Sequence, residues 1–370
     1  MRGYRDYLER SAGITQRQLN ALLPNESEGG TMKAMVLERV SLIEERPLRL
    51  VDLPKPVAGA DQILVRVSAC GVCHTELDEI EGRVAPSQFP MILGHEIVGR
   101  VEGLGAAAKR FRKGDRVGIA WINWACGKCR FCLKGEENLC DTARWTGKDA
   151  RGGYAEYTVV SEDFAYPIPE EFTDVKAAPL LCAGVIGYRA LRLSGMEDGK
   201  VLGLYGFGAS AHIVIQVVKH RYPKGRVFVF TRDHQKEHRD LAGKLGADWI
   251  GATGDTSPQK LDCAIDFTPV GEPVREALRN LQKGGRVVIN AIRKVAPIPE
   301  LDYTEHLWYE KEVKSVANVT RRDAQEFLPL AAEIPIIPQT QEFKLGQAND
   351  ALVLLKEGRM RGAGVLKMAA

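Results

Sequence analysis

The sequence predicts an α/β protein with two domains of different composition. Residues 32 to about 166 contain short β-like runs separated by Gly, Pro and Asp, a spacing typical of a β-rich, barrel-like domain with functional loops. From about residue 185 to residue 320, apolar strands alternate with helices, which is the pattern of a parallel, doubly wound sheet. A length of 370 residues also favours two domains over a single core.

The predicted strands of the first domain are short apolar runs bounded by turn residues. They are Lys33–Val40, Gln62–Ser68, Glu96–Leu104, Arg116–Ala120 and Ala155–Val160. Rigid strands commonly position chemistry on the loops that connect them. We therefore expect functional residues on these connections.

The predicted strands of the second domain are more continuously apolar, as buried parallel strands are. They are Val201–Tyr205, Val227–Thr231, Leu261–Phe267 and Arg286–Ala291. Helices at about Ser210–Arg221, Gln235–Leu245 and Glu272–Leu281 fill the intervals. The alternation predicts helices on both faces of the sheet.

Four cysteines lie close together at spacings of three, three and eight residues: Cys126, Cys129, Cys132 and Cys140. Two adjacent Cys-x2-Cys steps place three thiols on one tight loop, and the fourth can complete a tetrahedron around a soft divalent ion. The alternative is a set of free or disulfide-bonded thiols. Adjacent Cys-x2-Cys steps suit two separate disulfides poorly and suit Zn–S bonds of about 2.3 Å well. The spacing therefore predicts a structural zinc site.

A second metal site is suggested by Cys73, His95 and Cys182, which come from three distant segments. A Cys/His/Cys set is the ligand pattern of a catalytic zinc that keeps one position open. Each residue alone says little, because a lone buried cysteine usually behaves as a small apolar residue. We interpret Cys70 and Cys263 in that way.

Several motifs resemble, in order, those of the zinc-dependent medium-chain alcohol dehydrogenases, over roughly residues 32–370. They are Cys-Gly-Val-Cys-His-Thr-Glu-Leu-Asp at 70–78, Gly-His-Glu-Ile-Val-Gly around His95, Gly-Asp-Arg-Val-Gly at 114–118, Gly-Gly-Tyr-Ala-Glu-Tyr at 152–157, Ala-Pro-Leu-Leu-Cys-Ala-Gly at 178–184, and Gly-Arg-Met-Arg-Gly-Ala-Gly-Val-Leu near the end of the chain. The resemblance implies a GroES-like catalytic domain formed by residues 32–184 and 321–370. Residues 185–320 would form a Rossmann coenzyme-binding domain.

The same resemblance assigns roles around the catalytic zinc, with Cys73, His95 and Cys182 as its ligands. Glu96 follows the ligand histidine and is expected to approach the metal during ligand exchange. Glu76 corresponds to the carboxylate that hydrogen-bonds the ligand histidine and fixes its tautomer.

Three neighbouring residues have expected roles in proton transfer and coenzyme binding. Thr75 resembles the hydroxyl group that accepts the proton of the substrate and passes it outward. Relatives often have a histidine as the next proton acceptor in the relay, at the position where this chain has Asp78. Either Asp78 acts as the base or water serves directly. His74 corresponds to a basic residue that binds the coenzyme pyrophosphate.

A glycine-rich turn follows the first apolar strand of the second domain, with Gly206, Gly208 and Ala211 at the three positions of Gly-x-Gly-x-x-Gly/Ala. Because a strand precedes the turn and an apolar helix follows it, the motif predicts a pyrophosphate held at the helix N-terminus.

The choice of coenzyme depends on the end of the next strand. Thr231 and Arg232 stand where relatives that prefer NAD have an acidic residue that binds the ribose hydroxyls. Arg232 is either a ligand of a 2′-phosphate or a solvated arginine beside Asp233. The interpretation slightly favours NADP(H) over NAD(H).

The composition excludes some partners. With 51 basic and 48 acidic residues, the net charge of +3 indicates neither nucleic acid nor an anionic membrane. The most continuous apolar stretch, Val201 to Val218, is interrupted by three glycines and a histidine, so we expect no membrane span. Eight cysteines, most of them explained as metal ligands, favour a reducing compartment. We therefore expect a soluble, cytoplasmic protein.

Residues 1–31 precede the part that resembles the family and contain no apolar run of signal-peptide length. This extension is either a short helical or disordered appendage, or a translated ribosome-binding site encoded at Glu28-Gly29-Gly30 before Met32.

The expected function is a zinc-dependent alcohol dehydrogenase that interconverts alcohols with aldehydes or ketones and holds two zinc ions per subunit. A polyol dehydrogenase of the same superfamily is an alternative, although its third protein contact is commonly glutamate instead of Cys182. A non-catalytic zinc and nucleotide-binding protein is another, because a fold does not dictate activity. Trp121, Trp124 and Trp145 are candidates for the substrate pocket or for core packing. The resemblance implies a homotetramer or homodimer.

Overall fold

A computed structural model describes residues 30–369 and divides the chain into two compact units. Among the described residues, the first unit comprises residues 30–132, Cys140–Leu181 and residues 338–369. The second unit comprises Leu133–Leu139 and Cys182–Ile337.

Strands and α-helices are numbered along the described residues. The strands are β1 (Thr31–Leu37), β2 (Leu48–Pro54), β3 (Gln62–Val72), β4 (Met91–Ile92), β5 (Ile97–Leu104), β6 (Arg116–Ile119), β7 (Ile122–Trp124), β8 (Arg144–Trp145), β9 (Tyr157–Ser161), β10 (Ala165–Pro167), β11 (Val201–Tyr205), β12 (Arg226–Phe230), β13 (Trp249–Gly251), β14 (Leu261–Asp266), β15 (Leu281–Ile289), β16 (Glu312–Ser315), β17 (Thr340–Lys344) and β18 (Ala363–Lys367). The helices are α1 (His74–Ile80), α2 (Asp174–Ala177), α3 (Ala183–Ser194), α4 (Ala209–Arg221), α5 (Lys236–Lys244), α6 (Glu272–Asn280), α7 (Arg321–Glu333) and α8 (Ala348–Lys356).

The first unit is built mainly from antiparallel strands, as the sequence predicts. Its larger sheet has the order β10-β6-β5-β3-β18-β17, and β9 also pairs with β3. A smaller sheet has the order β2-β1-β4, and β7 pairs with β8. Strand β3 carries bulges opposite β5, which increase local twist and allow the long strand to pair with more than one neighbour. Two predicted metal ligands lie beside these strands: Cys73 directly follows β3, and His95 precedes β5.

The second unit contains a six-stranded parallel sheet in the order β13-β12-β11-β14-β15-β16. Its central strands β11, β12 and β14 are largely buried because apolar residues face helices on both sides, and Tyr205 stacks on Phe230 at 4.1 Å. The strand order reverses between β11 and β14. In open parallel sheets, ligands bind outside the carboxyl ends of the strands at this point.

The predicted domain boundaries differ from those of the two units. Residues 182–184 and helix α7, which we expected in the catalytic domain, lie in the second unit. The side chain of Asp323 on α7 accepts a hydrogen bond from Arg189 at 2.9 Å, and Phe327 packs on Tyr188. These contacts hold α7 against α3. Of the predicted extension, residues 1–29 lie outside the described part, while Thr31 begins β1.

No helix between residues 30 and 369 combines the length and apolar character that crossing a bilayer requires.

Candidate functional site

The four clustered cysteines bring their sulfur atoms to within 4.8 Å of one another. The loop that carries them runs between β7 and β8 and bends back on itself. The backbone N–H of Cys129 donates to Sγ of Cys126 at 3.3 Å, and that of Cys132 donates to Sγ of Cys129 at 3.5 Å. Each Cys-x2-Cys step therefore places an amide against the preceding sulfur.

Electrostatic features of this cluster favour thiolates at two positions. Burial raises the pKa of the Cys140 thiol, but hydrogen bonds from Thr142 and from backbone groups outweigh it and lower the pKa to about 6. Backbone N–H groups of Lys128 and Cys129 lower the pKa of Cys126. Four converging sulfur atoms match the donor set of a closed, tetrahedral zinc site.

A second group of potential ligands contains Cys73, His95, Glu96 and Cys182, whose donor atoms also lie within 4.8 Å of one another. Cys73 follows β3 and precedes α1, and His95 and Glu96 precede β5. Cys182 directly follows the short turn of residues 178–181. The three predicted ligands and the predicted exchange ligand thus belong to one group. Soft thiols with one imidazole and one carboxylate suit zinc.

Glu76 connects two members of this group and is fully buried. One carboxylate oxygen lies 2.5 Å from Nδ1 of His95, and the other accepts the backbone N–H of Cys73 at 2.8 Å. Burial disfavours a charged imidazole, but the Glu76 carboxylate and Cys73 outweigh this and hold the pKa of His95 well above its usual range. With Nδ1 engaged, Nε2 is the ring nitrogen left for a metal.

Two glycines make room for this arrangement. A Cβ on Gly71 would come within 1.8 Å of a carboxylate oxygen of Glu96, so a side chain there would displace the acid. Gly94, which precedes His95, has φ = 97°, and a Cβ there would lie 2.4 Å from the ring of Tyr154. Both positions therefore require glycine.

Helix α1 carries the predicted relay residues. Thr75 is buried, and its Oγ1 lies 3.7 Å from Sγ of Cys73. Asp78 is also buried, and Nε of Arg83 donates to its carboxylate. Nothing in the sequence pattern predicted this ion pair. His74, at the start of the helix, is exposed.

The three tryptophans differ in position. The ring of Trp121 lies 6.1 Å from that of His95 and 4.8 Å from that of Trp145. The two indole rings therefore form an aromatic face beside the second group of potential ligands. Trp124 is more exposed, and the guanidinium of Arg144 lies 5.8 Å from its ring. Cys70 and Cys263 are buried and belong to neither ligand group within the described residues.

The glycine-rich turn joins β11 to α4 at the point where the order of the parallel sheet reverses. Gly206 has φ = 82°, and a Cβ there would lie 2.9 Å from Thr268. A Cβ on Gly208 would meet nothing within 4 Å, so the backbone borders open space before the helix. Ala211 is buried in the first turn of α4. The free N–H groups of that turn and the open space fit a coenzyme pyrophosphate.

Thr231 and Arg232 follow β12 directly. The hydroxyl group of Thr231 donates to Oε1 of Gln235 at 2.7 Å. Arg232 is exposed, and within residues 30–369 its guanidinium has neither a hydrogen-bond nor an ion-pair partner. It is therefore available to an anionic ligand.

Comparisons with known proteins agree with this architecture. Residues 59–170 match the alcohol dehydrogenase GroES-like domain. The chain is 44% identical to a probable alcohol dehydrogenase, AdhA, from Mycobacterium tuberculosis, in a match that covers 91% of this chain and 97% of the relative. It is 33% identical to an NAD-dependent alcohol dehydrogenase from Sulfolobus acidocaldarius, covering 91% of this chain and all of the relative. A cinnamyl alcohol dehydrogenase from Sorghum bicolor has a similar structure, with a TM-score of 0.79 and 27% identity over 91% of this chain and 97% of that one. The chain therefore belongs to the zinc-dependent medium-chain alcohol dehydrogenase family.

Proposed function

We propose that this protein is an NAD(P)-dependent alcohol dehydrogenase that interconverts alcohols with aldehydes or ketones. The observation that carries the proposal is the group formed by Cys73, His95, Glu96 and Cys182, with the hydroxyl group of Thr75 beside it. A zinc ion held there would supply Lewis acidity that makes an alcohol hydroxyl more acidic, and the nicotinamide ring would exchange a hydride with the substrate carbon.

The chain's own residues would orient and deprotonate the substrate. Glu76 would fix the imidazole of His95, and Thr75, whose Oγ1 lies 3.7 Å from Sγ of Cys73, would accept the substrate proton. Trp121 and Trp145 would cover the substrate and limit access of water. The presence of Cys182 in the group favours this activity over that of a polyol dehydrogenase.

A spectrophotometric screen at a wavelength that reports the reduced nicotinamide tests the proposal. We expect oxidation of short or aromatic alcohols with at least one of NAD and NADP. Coenzyme and zinc binding without turnover of any alcohol, aldehyde or ketone would instead support the non-catalytic alternative.

We also propose two zinc ions per subunit, one in each ligand group. The two groups differ in the chemistry they offer. Four thiols leave no open position, whereas the group with His95 has mixed donors, one of which, Glu96, can exchange with a substrate.

For the oligomer, we propose that a second copy of the chain associates along the edge of the parallel sheet. Edge strand β16 is exposed along its whole length. Trp308, Tyr309 and Val313 expose large apolar side chains near it. Unpaired strand edges with apolar side chains favour pairing with another chain. This surface supports a homodimer, or a homotetramer that contains it.

For the proton relay, we expect Thr75→Val to lower kcat by about 10²-fold or more, because it preserves shape and deletes the hydroxyl group. Asp78→Asn should have a smaller effect, largest at low pH, where a base is most needed. The measurement is kcat against pH for both variants. Thr158→Val is the matched control, since it removes a buried hydroxyl group that, within residues 30–369, bonds a backbone carbonyl and no side chain.

The ion pair between Asp78 and Arg83 requires a second control. Arg83→Gln breaks the pair and retains the carboxylate. If Arg83→Gln and Asp78→Asn have the same pH profile, the contribution of Asp78 is structural. If Thr75→Val matches the unmodified protein at every pH, the relay proposal is wrong.

For the coenzyme, we propose that NADP(H) binds at least as well as NAD(H), although one relative is named as NAD-dependent. Arg232→Ala should weaken NADP(H) selectively by about 1.5–3 kcal/mol, the size of a charge-assisted hydrogen bond. Thr231→Asp should shift preference toward NAD(H), because a carboxylate repels a 2′-phosphate and accepts bonds from ribose hydroxyls.

The comparison to make is kcat/KM with each coenzyme. Arg226→Ala is the matched control, because Arg226 is an exposed arginine at the opposite end of the same strand. A strong preference of the unmodified protein for NAD(H), with a ratio that Arg232→Ala leaves unchanged, would identify Arg232 as a solvated surface residue.

A further inference from the structure

One acidic side chain near the second ligand group has no role in the function proposed above. Glu79 on α1 is completely buried, and neither of its carboxylate oxygens has a hydrogen-bond partner among residues 30–369. A buried carboxyl group without a partner is strongly unfavourable. Its surroundings should therefore contain a donor that it can use.

The indole of Trp121 provides that donor. Its Nε1 is also buried without a hydrogen-bond partner among the described residues. An indole N–H can only donate, and a carboxyl oxygen can accept a hydrogen bond whether or not the group is protonated, so each residue offers what the other lacks. Burial and the Glu76 charge raise the pKa of Glu79 well above its usual range, and the indole N–H of Trp121, which lies within reach of the carboxyl group, opposes that rise.

We propose that Glu79 is a positioning residue for the substrate site: its carboxyl group accepts the indole N–H of Trp121 and fixes the orientation of that ring beside His95. Trp145, which packs on Trp121 at 4.8 Å, is held through the same contact. The inference rests on the proposed function, because a fixed aromatic face matters for catalysis only if an alcohol binds at this group.

An aromatic face with a fixed orientation favours planar, aromatic alcohols over small aliphatic alcohols. An aromatic alcohol gains stacking contacts only if the indole plane is held in place, whereas ethanol covers little of that face. Loss of the hydrogen bond should therefore raise KM for aromatic alcohols by a larger factor than KM for ethanol. The ratio of kcat/KM for benzyl alcohol to that for ethanol isolates this effect from general damage to the site.

Glu79→Leu removes the acceptor at similar volume, and Glu79→Met is a second variant without an acceptor oxygen in case the first does not fold. We expect either variant to lower the benzyl alcohol to ethanol ratio by about 3- to 10-fold, the size of one lost hydrogen bond. Glu79→Gln retains an acceptor oxygen and should largely restore the ratio. A Glu79→Gln ratio as low as that of Glu79→Leu would contradict the proposal.

Trp121→Phe tests whether the two residues act together. In that background the donor is already absent, so Glu79→Leu should cause no further fall in the ratio. If Glu79→Leu lowers the ratio by the same factor with and without the indole, the residues are independent and the proposal is wrong.

A measurement without substrate separates this inference from the proposed function. The chain has five tryptophans, so 5-fluorotryptophan labelling should give five ¹⁹F signals, and Trp121→Phe identifies the one from Trp121. We expect Glu79→Leu to shift the Trp121 signal more than those of Trp249 and Trp308, and Glu79→Gln to shift it less. An unchanged Trp121 signal in Glu79→Leu would overturn the contact. An unmodified protein that oxidises no alcohol but shows the shift would overturn the proposed function alone.

Discussion

Replacing Cys182 by alanine should abolish alcohol oxidation while coenzyme binding persists. The change removes one thiol from the group that contains Cys73, His95 and Glu96. Lewis-acid stabilisation is worth several kcal/mol, and each 1.36 kcal/mol is a factor of ten, so kcat should fall by at least about 10³-fold. The residues of the glycine-rich turn are unchanged. Coenzyme affinity, measured by fluorescence titration, should therefore be retained.

Cys263→Ala is the matched control for this experiment. It makes the same chemical change at a cysteine that is buried in β14 and belongs to neither ligand group. We expect the control to retain turnover and to lose only modest stability. Substantial alcohol oxidation by Cys182→Ala would show that Cys182 has been assigned wrongly.

Cys140→Ala should instead affect stability before chemistry. It leaves three of the four sulfur atoms in the cysteine cluster, so the tetrahedral site loses one of its ligands. Structural zinc contributes on the order of 10 kcal/mol of folding free energy in small zinc peptides at neutral pH, far more than the usual point substitution. We expect a lower melting temperature, impaired assembly, and a metal content that falls from two toward one per subunit.

The unmodified protein supplies the reference for that experiment. Metal analysis should give two zinc ions per subunit, and a value near one in a preparation that has not lost metal would contradict the two-site proposal. Turnover per folded Cys140→Ala subunit should remain well above that of Cys182→Ala. Equal loss of turnover in both variants would mean that the two groups do not have separable roles.

Four of the six parallel strands, β11, β12, β14 and β15, could be predicted because they contain apolar runs bounded by turn residues. The predicted strand Val201–Tyr205 coincides with β11, and the predicted helix at Ser210–Arg221 differs from α4 by one residue. Strand β16 was not predicted, because Glu312–Ser315 is polar and exposed along its length. Pairing with β15, and not local pattern, makes it a strand.

The candidate site could be predicted only in part. The spacing of the four cysteines is local information and indicates their convergence directly. The grouping of Cys73, His95 and Cys182 depends on tertiary structure, and family resemblance supplied it. Nothing in the sequence indicates that Glu79 is buried, since it lies in an acidic segment that is typical of a solvated helix face. In the structure, every residue of α1 after His74 is buried, including three acids.

The two bonds of Glu76 have a consequence for the order in which the protein and its metal come together. One carboxylate fixes the backbone of Cys73 and the ring of His95 through contacts that need no ion. Two members of the proposed ligand group, Cys73 and His95, are therefore preorganised by the polypeptide itself, and the entropic cost of arranging them is met during folding. Chelation should empty this site reversibly, and added zinc should refill it without refolding. The hydrogen bonds described for the four-thiol loop run to the sulfur atoms themselves, and no buried carboxylate among residues 30–369 bridges two of its ligands. Its demetallation should therefore be accompanied by local unfolding.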